Sequence, residues 1–209
     1  MCIRDRRAPE RFHAYIGIGQ ISCQRESERL AYTYMMDQFR AAGNTKMVRK
    51  LAKFPIDKGA EINNQYLAVR SEGMTKLGVG IMHNSTSMMD AVKTILRYRG
   101  YTWREKLNYP KGSLLSLNCL WGAVMESDFM DQVPRLEVPF YVLQGKFDYQ
   151  VSYALARDFV QAIEAPVKGF YTFEDSAHSP CYEEPDKMIR IFREDILPGK
   201  ADLADKLDQ

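Results

Sequence analysis

The stretch VPFYVLQGKFD runs from Val138 to Asp148. Val138 to Leu143 carries neither charge nor apolar–polar alternation, which predicts a strand buried on both faces of a parallel sheet, closed by Gln144-Gly145. After it, Ser152 to Ala165 places Ala154, Leu155, Phe159, Val160 and Ile163 on one helical face. Gly169 to Phe173 (GFYTF) then reads as a second short strand. Strand, helix and strand form a β-α-β crossover unit. Before it, Phe12 to Gly19 (FHAYIGIG) is aromatic and β-branched and ends in glycine, as a third buried strand would. Glu184 to Ile196 is an amphipathic helix, and Pro198 to Gln209, charged with few apolar anchors, is expected to fray. The class is α/β, with about three parallel strands and flanking helices.

Between the first strand and Pro134 the apolar period is helical. Glu26 to Ala42 and Thr45 to Phe54 form a hairpin around Gly43-Asn44, a stop and restart signal. Further helices are expected at Gly59 to Ser71, Ser85 to Tyr98, Thr102 to Asn108 and Ser113 to Ser127, with a loop over Gly73 to Asn84. The chain therefore divides into a leader (1–8), a core strand segment (9–22), a helical region (23–133), a second core segment (134–197) and a tail (198–209). Met35, Met36, Met82, Met88, Met89, Leu120, Trp121 and Met125 are expected to pack the helical region.

Composition bounds the partners. The 209 residues carry 29 Lys and Arg against 27 Asp and Glu, a net +2, with 45% hydrophobic and 27% charged residues. That is a globular chain without the field that would hold it on nucleic acid or an anionic membrane. The Tyr98 to Trp103 segment mixes basic and aromatic residues, as a solvated helix end also does. Phe12 to Gln24 and Gly112 to Met125 lack charge but fall short of the roughly 20 apolar residues of a membrane span. Met1 to Arg7 is charged and has no apolar core, so it is no secretory signal, and a cytoplasmic address is expected. Cys2, Cys23, Cys119 and Cys181 form no C-x-x-C pair and only His13, His83 and His178 are present, so no metal or disulfide framework is suggested.

The chemistry gathers after the late strands. Asp148 stands just past one strand and His178 just past the next, at the carboxyl edge where ligand and catalytic groups of open α/β sheets collect. A carboxylate on the imidazole Nδ1–H fixes the tautomer and stabilises the imidazolium. Asp175, three residues before His178, is a rival carboxylate that reads better as a turn former. His13, His83 and Cys181 read as structural. Gly17-Ile18-Gly19 opens like a dinucleotide fingerprint but has Ser22 where its third glycine would stand. Ser22 itself lacks the glycine-flanked elbow of a nucleophile.

Gly145 to Asp148, the turn Ser176-Ala177-His178-Ser179-Pro180 and the Glu184-Pro185 that follows resemble the α/β-hydrolase family, closest to its capped, proline-iminopeptidase-like members. The resemblance implies that Asp148 is the triad acid and His178 the base. Pro9 to Gln20 resembles the family segment leading from the nucleophile helix into the sixth strand, and residues 23–133 take the place of a helical cap. It implies an ester, amide or short-peptide substrate and no cofactor or metal. One element of the pattern is missing: no G-x-S-x-G occurs in the 209 residues. The expectation is the carboxyl-terminal part of such a hydrolase, inactive alone, with an artefactual leader over 1–8 and an unpaired apolar edge on the first strand. The alternative is a non-catalytic module that binds a ligand or a protein on a hydrolase-derived scaffold.

Overall fold

The computed structural model describes residues 2–57, 60, 62–84 and 88–207. Its sheet holds three parallel strands, β1 (Tyr15–Ile18), β2 (Phe140–Gly145) and β3 (Lys168–Phe173), in the order β1-β2-β3. Tyr15 lies opposite Phe140 and Ile18 opposite Leu143, while Phe140 faces Lys168 and Gly145 faces Phe173. Every residue of β2 is buried. Successive side chains point to opposite faces of a strand. Phe140, Val142 and Phe170 meet Ala156, Phe159, Val160 and Ile163 on one side. Tyr141, Leu143, Tyr171 and Phe173 meet Ile191 and Ile196 on the other. A strand covered twice in this way has no polar face, which is why its sequence does not alternate. Each such large apolar side chain contributes about 1.5–3 kcal/mol on burial.

The helices are α1 (Cys2–Arg7), α2 (Gln24–Ala41), α3 (Thr45–Leu51), α4 (Asn64–Leu77), α5 (Met88–Arg97), α6 (Trp103–Glu126), α7 (Phe129–Gln132), α8 (Tyr153–Ala162), α9 (Pro180–Glu183) and α10 (Pro185–Ile191), the last continuing into a π turn over Phe192–Ile196. α8 covers one face of the sheet, and α10 with its π turn covers the other. α2, α3 and α4 bury Ala31, Met35, Met36, Phe39, Met47, Leu51 and Met74 among themselves. Asn44 caps α3 by accepting from Met47 N (3.1 Å), which completes the expected hairpin.

Four expectations need correction. The helix expected over Gly59 to Ser71 starts at Asn64, where the Asn63 side chain accepts from Tyr66 N (2.9 Å). It runs on to Leu77, into the expected loop, and Gly59 lies outside the described residues, as does Ser85. The helices expected at Thr102 to Asn108 and Ser113 to Ser127 are one continuous α6 that passes through Pro110. Proline's fixed φ suits a helix, so the cost is a lost hydrogen bond and local crowding, not a forced stop. Thr102 and Glu105 close its start as a capping box. Leu120 is 60% exposed and does not pack the helical layer. The Met88 and Met89 side chains lie outside the described residues.

The tail is the fourth: it is held as far as Leu207, and residues 208–209 lie outside the described ones. Asp205 N donates to Phe170 O (2.8 Å), and the Asp205 carboxylate accepts from Thr172 N (2.8 Å) and from Thr172 Oγ1. These bonds occupy the outer edge of β3. Asp195, buried in the π turn, accepts from Tyr171 Oη and Leu203 N (2.8 Å each). Leu203 and Ala204 pack on the Tyr171 face of the core. Charged residues anchor this segment, so a count of apolar residues alone misreads it.

β1 pairs with β2 on one edge, and among the described residues no strand pairs with its other edge. Ile18 there is 39% exposed. No helix among the described residues is long and apolar enough to cross a membrane.

One surface cluster makes stability depend on pH. Glu72 accepts from Lys50 Nζ (2.6 Å) and Lys76 Nζ (2.7 Å). These two bonds, the Lys50 one foremost, hold its carboxyl at about 2, below the ordinary 4.5. The folded value lies below the unfolded one, so the contribution is present above pH 4.5 and is lost as pH falls toward 2. For so exposed a pair it amounts to about 1 kcal/mol or less. Urea unfolding of Glu72→Gln should show a deficit at pH 6 that has mostly gone by pH 2.5. An equal deficit at both values would count against the linkage.

Candidate active site

The loops at the carboxyl ends of β1, β2 and β3 converge. After β2, Asp148 N donates to Gly145 O (3.1 Å), which turns the chain and sends the Asp148 side chain inward. Its Oδ1 accepts from Gln150 N (2.8 Å) and Val151 N (3.2 Å). Its Oδ2 accepts from Gln144 Nε2 (2.7 Å) and lies 2.9 Å from His178 Nδ1. The Asp148 side chain is wholly buried, while that of His178 is 30% exposed. A carboxylate only accepts, so the ring nitrogen facing it is the Nδ1–H donor, and in the neutral ring Nε2 carries the lone pair.

Two glycines set this geometry. A Cβ on Gly145 would stand 1.9 Å from Ala177 O and 2.4 Å from Ser176 O, so β2 and the His178 turn meet backbone to backbone. Gly19 holds φ at +63°, and a Cβ there would stand 2.5 Å from His178 Cε1. The imidazole thus lies against bare backbone at the end of β1. Only glycine takes this left-handed conformation without penalty and leaves the space.

Sequence reasoning missed two members of the site. Gln144 is fully buried at the end of β2, donating to Asp148 and accepting from Gln20 N (2.9 Å). Gln20 in turn accepts from Tyr15 Oη at its own Oε1 (2.7 Å). The available signal was a glutamine closing each of two apolar strands, since a buried amide demands partners.

The helical layer closes over the acid loop. Tyr149 N donates to Val79 O (3.1 Å), and the Tyr34 and Tyr149 rings stack with centroids 4.1 Å apart. Glu28, wholly buried on α2, pairs with Arg70 Nε of α4 (2.6 Å) and accepts from Tyr66 Oη (3.2 Å). Arg70 Nη2 and Gln24 Nε2 both donate to Gln150 O (3.2 and 3.0 Å), two residues past Asp148. Burial pushes the Tyr66 and Tyr149 phenols up from their ordinary value.

The other candidates fall elsewhere. The carbonyl of Asp175 accepts from Asn84 Nδ2 (3.1 Å), its amide donates to Glu184 Oε2 (3.1 Å), and Oδ2 of Asp148 is the carboxylate oxygen bonded to His178. Ser22 Oγ is buried and without a partner among the described residues. Cys181 is half-buried, which pushes its thiol up. The His83 ring stacks on Phe147 at 3.7 Å, and its Nδ1 lies 2.7 Å from Gly78 O. His13 is exposed and precedes β1. Among the described residues, no group of three His, Cys, Asp or Glu side chains is placed to hold a metal ion.

No family model matches the chain. It is 25% identical over 177 residues to the probable aminopeptidase YbaC of Bacillus subtilis (strain 168), an overlap of 85% of this chain and 55% of that protein. Its fold is similar to that of a crystal structure of proline iminopeptidase from Mycobacterium smegmatis, with a TM-score of 0.55 and 13% identity, over 91% of this chain and 58% of that one. The chain spans a little over half the length of either protein. The three-stranded parallel sheet, its flanking helices and the helical layer are a partial α/β-hydrolase fold.

Proposed function

We propose that Asp148 and His178 are the acid and base of a serine-type acyl-transfer site acting on an amide or ester, and that its nucleophile is not among these 209 residues. The observation that carries this reading is the 2.9 Å approach of His178 Nδ1 to a fully buried Asp148 that three further donors hold in place. Asp148 keeps the proton on Nδ1, and Nε2 takes the proton of an attacking hydroxyl. The imidazolium so formed is stabilised by the carboxylate and returns the proton to the leaving group; water then repeats the cycle on the acyl-enzyme.

The similarity to an aminopeptidase and a proline iminopeptidase supports a short peptide with a free amino terminus as substrate. The helical layer, closing over the acid loop, would select it. Ser22 does not serve as the nucleophile in this scheme. Its hydroxyl is buried, and no hydrogen bond joins it to His178 among the described residues. The base alone has nothing to activate, and loss of a nucleophile costs orders of magnitude in rate.

Turnover of a panel of nitrophenyl esters and aminoacyl nitroanilides by the folded chain is therefore expected to match its His178→Ala variant. Turnover that the variant abolishes would place a nucleophile within these residues and overturn that part of the reading.

A further inference from the structure

The turn that carries His178 is held by two consecutive glutamates with different reach. Glu184 Oε2 accepts from Asp175 N (3.1 Å) and Ser176 Oγ (2.6 Å), so it secures the turn from within. Glu183 Oε2 accepts from Ala177 N (2.9 Å), the residue before His178. Its other oxygen leaves the core altogether. Glu183 Oε1 accepts from His83 N (2.7 Å), Asn84 N (2.8 Å) and Asn84 Nδ2 (3.3 Å) in the loop that follows α4.

That loop touches the same turn at two further points. His178 N donates to Gly80 O (3.2 Å), and Asn84 Nδ2 donates to Asp175 O (3.1 Å). It also braces the acid loop, with the His83 ring on Phe147 and Val79 O accepting from Tyr149 N. Bonds to an ionised acceptor are about twice as strong as neutral ones. One carboxylate thus joins the loop to the histidine turn alongside the two direct bonds at Gly80 O and Asn84 Nδ2.

We infer that Glu183 is a positioning residue through which the Gly78–Asn84 loop sets the place of His178 against Asp148. The inference rests on reading Asp148 and His178 as the acid–base pair. A displacement of the loop reaches the turn at Gly80 O, at Asn84 Nδ2 and at Glu183, and Glu183 is the one of these that ties Ala177, next to His178, to both His83 and Asn84.

The test uses the Nδ1 proton resonance of His178, together with amide hydrogen exchange, in the full chain. Glu183→Ala should speed exchange at Ala177, His83 and Asn84 at least tenfold and broaden the imidazole proton beyond detection. Val160→Ala, destabilising through the core face away from His178, should leave that proton sharp at a similar loss of Tm. Glu183→Gln covers the event that the alanine variant does not fold. Its amide offers one acceptor oxygen, so either Ala177 or the His83–Asn84 pair loses protection, and the imidazole proton broadens.

A sharp proton in both Glu183 variants, with Asp148→Asn abolishing it, overturns the role of Glu183 and leaves the pair intact. A proton that survives Asp148→Asn overturns the pair and the inference together.

Discussion

Gly145→Ala is expected to destabilise the chain by about 3 kcal/mol or more, the upper end of what overpacking costs. The added carbon would stand 1.9 Å from a backbone oxygen of Ala177, and backbone at a sheet end cannot rotate aside as a side-chain tip can. Relief has to come from separating β2 from the His178 turn. That movement would stretch the 2.9 Å approach of His178 Nδ1 to Asp148 and the bond from Phe147 N to Ser176 O (3.0 Å). At about 2–4 °C per kcal/mol for a chain of this size, Tm should fall by about 6–12 °C. Calorimetry checks the fall, and an unchanged Tm would show that the two loops do not meet as described.

Arg70→Met should have an effect of similar size from a different cause. Glu28 is wholly buried, and Arg70 Nε lies 2.6 Å from its carboxylate. Removing the guanidinium leaves that charge with the hydrogen bonds of Tyr66 and Gln24 (3.2 and 2.9 Å) and without a counter-ion. Breaking a buried pair from one side costs about 3–5 kcal/mol, whereas replacing both partners by apolar groups is often close to neutral. The double variant Glu28→Leu with Arg70→Met should therefore recover most of the loss. Denaturant unfolding of the single and double variants closes the cycle. Losses that simply add would contradict the account of Glu28 and Arg70 as a mutually dependent pair.

What was legible in the sequence was whatever depends on local period. The unbroken apolar run of β2 announces two covered faces, and Asp148 and His178 follow from standing one crossover apart at strand ends. What was illegible depends on partners far along the chain. Gln20 and Gln144 meet across 124 positions because β1 and β2 pair in one register. No local pattern carries that. Asp205 caps the edge of β3 from a segment whose composition suggests a loose end. Pro110 looks like a break, but the φ its ring imposes is one a helix accepts, so α6 runs through it. Gly145 and Gly19 are conspicuous in sequence only as strand terminators. Their role in bringing His178 to Asp148 appears once the loops are placed.

In the proposed site Asp148 holds the neutral His178 ring with its proton on Nδ1 and its Nε2 lone pair free. With only three histidines in the chain, long-range nitrogen–proton NMR of the imidazoles near pH 8 tests this directly, the His178 signals being assigned by their loss in His178→Ala. The expected result is that the neutral His178 ring carries its proton on Nδ1, with a far-downfield resonance that Asp148→Asn removes. A ring protonated at Nε2, or a tautomer unchanged by Asp148→Asn, would contradict it.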